Sequence, residues 1–218
     1  MSETSTATQT QEFFHSYAGD FNAIYSSRNG VFNNLINRTL RKSMQLRYIK
    51  TLEGATPVVA RTVLDVGCGP GHYGIALARR GAARVTGIDF AEGMIELARQ
   101  QAKVAGVSDC CEFLAGDFTQ YRPEAPFDYV VVMGFMDYVS EPAALIDRVN
   151  SLTRRKAFFS FPAAGGILAW QRQVRYRRRC PLYLYHREDL EKLFANVKDV
   201  RVEIEPIARD YFVTMTKR

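Results

Sequence analysis

The chain is poor in the residues that build metal centres and disulfide frameworks. It has four cysteines and three histidines in 218 residues. Cys68, Cys110, Cys111 and Cys180 form no C-x-x-C pair, and His15, His72 and His186 lie far apart along the chain. These ligand types and spacings predict no metal site and no disulfide-stapled fold. No apolar run approaches the roughly 20 residues that cross a bilayer, so no transmembrane helix is expected. The opening MSETSTATQTQEFF lacks both the basic start and the apolar core of a secretory signal, which points to a cytoplasmic location. Positive charge exceeds negative by 6, a mild excess that matters only where it is concentrated.

What is present suits one substantial core with a modest appendage. Residues 1–10 are rich in Ser and Thr without apolar periodicity and read as a disordered N-terminus. Residues 11–53 read as a helical cover. Phe13, Tyr17, Phe21 and Ile24 share one face, Leu35, Leu40, Met44 and Tyr48 line a second segment, and Arg28-Asn29-Gly30 breaks between them. From residue 54 to 218 short β-rich runs alternate with helical ones. Strands are predicted at 62–66, 84–88, 111–115, 128–133, 156–161, 199–206 and 211–216, and helices at 71–80, 91–105, 141–153 and 187–196. Such alternation predicts an α/β fold: a doubly wound, mostly parallel seven-stranded sheet with helices on both faces.

The segment VLDVGCGPGHYG, from Val63 to Gly74, stops an apolar strand at an acid and then places four glycines in eight residues. Strand, acid, glycine-rich turn and helix are the parts of a nucleotide-binding βα unit, where the backbone and a helix N-terminus receive the ligand. Gly69, Gly71 and Gly74 satisfy G-x-G-x-x-G, and Asp89 follows twenty residues after Gly69, as in a dinucleotide site. A fuller pattern, Asp-x-Gly-x-Gly-x-Gly, runs through Asp65, Gly67, Gly69 and Gly71.

With that pattern the sequence resembles the class I S-adenosylmethionine-dependent methyltransferases from Thr62 to about Phe161, and at the final strand pair. GIDFAEGMIELAR and LAGDF stand where that family has its second and third cofactor segments. Within the superfamily, RRGAARVTGIDFAEGMIELARQQA and the strand-four segment FDYVVVMGFMDYV are similar to ubiquinone-type C-methyltransferases and magnesium-protoporphyrin O-methyltransferases. The resemblance implies a Rossmann-like methyltransferase fold with S-adenosyl-L-methionine as cofactor. It implies that the Gly67–Gly71 turn, Cys68 included, wraps the methionine and ribose parts, and that Asp65 helps hold the ammonium end. Asp89 would accept from the ribose hydroxyls, Phe90 and Met94 would meet the adenine, Asp117 its amino group, and Phe118 its ring face. Met133 and Gly134 would open toward the site of transfer. Plain alternatives stay open: Asp89 and Asp117 can serve as local caps, and Phe90, Phe118 and Met133 as core. Cys68 is not assigned as a nucleophile, because the turn alone accounts for a small residue there.

Transfer from a sulfonium needs mainly alignment and desolvation, so no covalent catalytic residue is required. If the acceptor needs a base, the candidates are His15, Tyr17, Tyr25, Asp137, Tyr138 and His186. FFHSYAGDFNAIY looks like the helical lid with which small-molecule methyltransferases begin. A basic insertion at about 163–187 has no acid between Lys156 and Arg187 and concentrates arginines, among them Arg175, Arg178 and Arg179. Arginine forks with interleaved Trp170, Tyr176, Tyr183 and Tyr185 suit a small or lipid-linked anionic acceptor, and an amphipathic face through Ile167, Trp170 and Val174 suits an anionic membrane. A solvated basic helix is the plain reading of the same run. Nucleic acid is disfavoured, because Met133-Gly134-Phe135-Met136 replaces the Asn/Asp-Pro-Pro-Tyr/Phe signature of base methyltransferases. The rival classes are an NAD-binding oxidoreductase, for which no Tyr-x-x-x-Lys pair occurs, and a noncatalytic cofactor-binding module. The oligomeric state has no signal in the sequence.

Overall fold

Residues 31–165 and 182–218 are described by the computed structural model, with side chains from Arg41 onward. Helix α1 (Val31–Gly54) precedes β1 (Thr62–Val66), α2 (His72–Arg79), β2 (Arg84–Asp89), α3 (Glu92–Val104) and β3 (Cys111–Ala115). There follow β4 (Phe127–Val132), α4 (Pro142–Ser151), β5 (Thr153–Pro162), α5 (Arg187–Ala195), β6 (Val200–Ile207) and β7 (Asp210–Lys217). The strands form one seven-stranded sheet in the order β3-β2-β1-β4-β5-β7-β6. β1 to β5 pair in parallel, whereas β7 runs antiparallel to both neighbours. This is the doubly wound sheet that the alternation predicts. The largest boundary difference is at β5, whose polar start at Thr153 reads as helix end in the sequence but pairs with Phe127 before the ladder shifts register.

The apolar runs of the central strands are divided between two faces by their period of two. Val63, Val131 and Phe158 point to one side with Leu52 of α1, Leu77 of α2 and Phe212 of β7. Leu64, Val130 and Phe159 point to the other with Ile146 of α4 and Leu190 and Phe194 of α5. Both faces of β4 are therefore buried, and the loops at the carboxyl ends of β1, β2 and β4 are left to receive a ligand.

α1 seats itself on polar side chains. The sequence places Met44 and Tyr48 on its apolar face, yet Tyr48 is 37% exposed, and the buried stripe runs through Ser43, Arg47 and Thr51. Arg47 donates from Nε (3.1 Å) and Nη2 (2.6 Å) to Asp210 Oδ2, and from Nη1 (3.2 Å) to Ser160 Oγ. The Ser43 hydroxyl donates to the same carboxylate. Hydrophobic periodicity misplaces the inner face because a charged residue, paired, lies on it. The residues expected to form the first helix of the cover, among them Phe13, Tyr17, Phe21 and Ile24, fall outside the described residues.

Removing one partner of a buried pair leaves the other charge uncompensated. Asp210→Ala should cost about 3–5 kcal/mol in urea unfolding. Lys50→Ala, which breaks the partly exposed Lys50–Glu205 pair at 2.8 Å on the same helix, should cost under about 1 kcal/mol. Equal losses would show that the buried pair does not anchor α1.

Candidate active site

The glycine-rich turn is built on β1 and held by β2. The N–H groups of Gly67 and Cys68 both donate to Ile88 O, at 2.8 and 3.1 Å, and Gly69 N–H donates to Asp89 Oδ2 at 2.9 Å. Asp89 Oδ1 accepts from Ala91 N–H at 2.9 Å, so one carboxylate ties the turn to the start of α3. Asp65 is buried at the end of β1 and accepts from Gly74 N–H at 3.0 Å. Three positions of the turn have positive φ: Gly67 at 64°, Gly69 at 51° and Gly71 at 80°. An L side chain is strained at each.

Conformation is not the whole reason for glycine here. A β-carbon on Gly67 would lie 2.4 Å from Phe135 Cδ2, one on Gly71 3.0 Å from the Phe113 ring, and one on Gly74 2.8 Å from Val85 Cγ1. Those three glycines admit the protein's own side chains. At Gly69 the same test meets nothing within 4 Å. The open side of the turn is at Gly69, whose N–H is already aimed at Asp89.

Both acids at this edge are pushed up. Burial raises Asp65 to about 7, with the Gly74 N–H opposing and the Asp89 charge adding. Burial also raises Asp89, against the N–H groups of Ala91 and Gly69. Burial and the same two carboxylates raise the Cys68 thiol well above its ordinary range, so it stays protonated and is a poor nucleophile.

The remaining candidates separate into those near the turn and those that pack elsewhere. Gly116 N–H donates to Asp89 O at 2.9 Å, which brings the β3 loop beside Asp89. Asp117 in that loop is exposed and accepts from Thr119 N and Oγ1 at 2.8 and 2.7 Å. Phe118 is 3% exposed, and the Arg148 guanidinium lies 5.2 Å from its ring centroid. Met94 and Met133 are buried, and Phe90 is half-buried. Asp137, buried, and Tyr138, half-buried, lie on the one-turn 3-10 helix after β4. His186 is exposed at the start of α5, its N–H donating to Asp189 Oδ2 at 2.9 Å. His15, Tyr17, Tyr25, Arg175, Arg178 and Arg179 lie outside the described residues. Among those described, no group of three or more His, Cys, Asp or Glu side chains is arranged to hold a metal ion, and no helix is long and apolar enough to cross a membrane.

The order β3-β2-β1-β4-β5-β7-β6, with an antiparallel strand slipped between β5 and β6, departs from the all-parallel six-stranded dinucleotide fold. Residues 63–156 match the methyltransferase-domain family. The sheet order and this match agree on a methyltransferase-like core. The ubiquinone biosynthesis O-methyltransferase of Neisseria meningitidis is 38% identical over 121 residues, which cover 54% of this chain and 49% of that one. Its counterpart in Xylella fastidiosa is 38% identical over 98 residues, covering 45% and 39%. The chain thus spans about half or less of the length of these curated relatives. The magnesium protoporphyrin IX methyltransferase of Synechocystis with bound S-adenosylhomocysteine superposes with a TM-score of 0.78 at 21% identity, over 97% of this chain and 100% of that one. The same enzyme with bound S-adenosylmethionine gives 0.73 at 22% identity.

The residues at this edge would fit the S-adenosylmethionine that the Synechocystis enzyme holds. Gly69 leaves the turn open, Asp65 and Asp89 place two carboxyl groups beside it, and α2 begins directly behind the turn. The sequence missed Phe113 and Phe135, whose rings require Gly71 and Gly67 to be bare. Their only signal was an aromatic at a strand or its exit, which core packing equally explains.

Folded Asp65 keeps its proton up to about pH 7, whereas an unfolded chain releases it near pH 4, so the native state loses stability as pH rises through that window. Asp65→Asn should remove that slope, at most about 1.4 kcal/mol per pH unit, in urea midpoints followed from pH 4 to pH 8. Parallel wild-type and variant profiles would show that Asp65 is ionised throughout.

Proposed function

We propose that the chain transfers the methyl group of S-adenosylmethionine to an oxygen of a small anionic or lipid-linked acceptor. The observation that carries the cofactor half is the pairing of an open Gly69 with Asp89, whose carboxylate is fixed by two backbone N–H groups and aimed along the turn. The activated methyl comes with the cofactor's sulfonium, so the protein's work is to hold, align and exclude water. In this reading Asp65 takes the ammonium end, Asp89 the ribose hydroxyls and Asp117 the adenine amino group. Oxygen is favoured over nitrogen or carbon by the O-methyltransferase relatives.

The acceptor half is supported by where the basic segment leaves and rejoins the sheet. Ala164 N–H donates to Tyr185 O at 2.7 Å, Tyr185 N–H to Pro162 O at 2.9 Å, and Tyr183 N–H to Asp137 O at 2.9 Å. Both ends of the segment are thereby pinned at the carboxyl ends of β4 and β5, on the side where the first and fourth strands open. Arg175, Arg178 and Arg179 belong to the chain between those pins, and contact with an anionic membrane surface would follow from the same charges.

Asp89→Ala should weaken S-adenosylhomocysteine binding in calorimetry by about 1.5–3 kcal/mol, and NAD should give no heat with the wild type. Saturable NAD binding without a response to either sulfur nucleoside would overturn the cofactor half. For the acceptor, wild-type protein with labelled cofactor should label carboxylate- or phosphate-bearing small molecules or lipids rather than RNA. Replacing Arg175, Arg178 and Arg179 by Ala should raise the KM of the labelled acceptor and leave S-adenosylhomocysteine affinity unchanged. RNA as the labelled pool, or an unchanged KM, would overturn it.

A further inference from the structure

Phe135 stands at the exit of β4 and closes one side of the glycine turn. Its backbone is fixed by its neighbour: Gly134 has φ 68° and donates its N–H to Ser160 Oγ at 2.8 Å, the same hydroxyl that Arg47 reaches. Phe135 O accepts from Tyr138 N–H at 3.1 Å. The ring is only half-buried although it packs against the main core cluster.

The orientation of the ring follows from its contact with Gly67. A β-carbon there would lie 2.4 Å from Cδ2 and 3.3 Å from both Cγ and Cε2. Equal and much longer distances to the two flanking atoms describe an approach in the plane of the ring, not one onto its face. The edge of Phe135 therefore meets the backbone, and its faces stand upright beside the turn. An aromatic face carries negative potential, and the edge positive. A cation over such a face is attracted by the ring's quadrupole, more strongly when water is excluded.

We propose that Phe135 is the aromatic wall of the methyl-donor pocket and makes the site prefer the charged cofactor to its neutral product. The inference rests on the cofactor reading of the Gly67–Gly71 turn. S-Adenosylmethionine and S-adenosylhomocysteine share their adenosine and amino-acid ends and differ only in the methyl group and the positive charge at sulfur. Asp65 and Asp89 serve the shared ends, so the ratio of the two affinities isolates what acts at the sulfur. A positioning residue of this kind favours retention of substrate over product without touching the acceptor.

Calorimetry with the two nucleosides on wild type, Phe135→Leu and Phe135→Tyr tests it. Phe135→Leu should weaken S-adenosylmethionine at least threefold more than S-adenosylhomocysteine, while Phe135→Tyr, which keeps the ring, should hold the wild-type ratio. Phe135→Met replaces the leucine variant if melting shows that leucine does not fold. Equal loss of both ligands, or no loss, in a folded ringless variant makes Phe135 a packing residue and overturns the inference while leaving the cofactor reading intact. Failure of the wild type to bind either nucleoside overturns both.

Discussion

Between Gly67 and Gly74 the main chain passes so close to Phe135, Phe113 and Val85 that a β-carbon at Gly67, Gly71 or Gly74 would fall 3.0 Å or less from another side chain. That steric limit organises the whole ligand edge. Bare backbone lets the turn sink between the β4 exit and the β3 ring, with the N–H of Gly69 bonded to Asp89 and the N-terminus of α2 directly behind it. A methyl group added at any of these points would have to displace an aromatic ring or a strand residue in a close-packed layer. The open position is thus defined by its closed neighbours.

The electrostatics of the edge follow from the same packing. Asp65 and Asp89 lie close enough for the charge of one to raise the other, and burial is the larger effect on each. Backbone N–H groups offset part of the cost of removing carboxylates from water, through Gly74 for Asp65 and through Gly69 and Ala91 for Asp89.

A second polar arrangement connects α1 to this edge. Arg47 of α1 spans Asp210 at the start of β7 and Ser160 of β5, and Ser160 receives the N–H of Gly134, the residue before Phe135. The Ser160 hydroxyl thus links Arg47 of α1 to the backbone from which Phe135 projects. Buried ionic contacts of this sort give orientation more readily than net stability.

Local chemistry was enough for much of this. Strand-length apolar runs bounded by turns, the acid before the glycines, and the acid twenty residues on each express a preference of a short segment for one backbone geometry, so the sheet, its seven strands and the place of the turn were legible in the sequence. The β5 start was not, because Thr153, Arg154 and Arg155 carry no apolar pattern and become strand only through pairing with β4. Nor was the inner face of α1, since Ser43, Arg47 and Thr51 read as solvent-facing until Asp210, more than 160 residues away, supplies the partner. The sequence determined that glycines were needed at 67, 69, 71 and 74. Only the tertiary structure decided which of them yield to the protein's own side chains and which one stays open, because that depends on side chains from β2, β3 and the β4 exit that meet the turn through space and not along the chain.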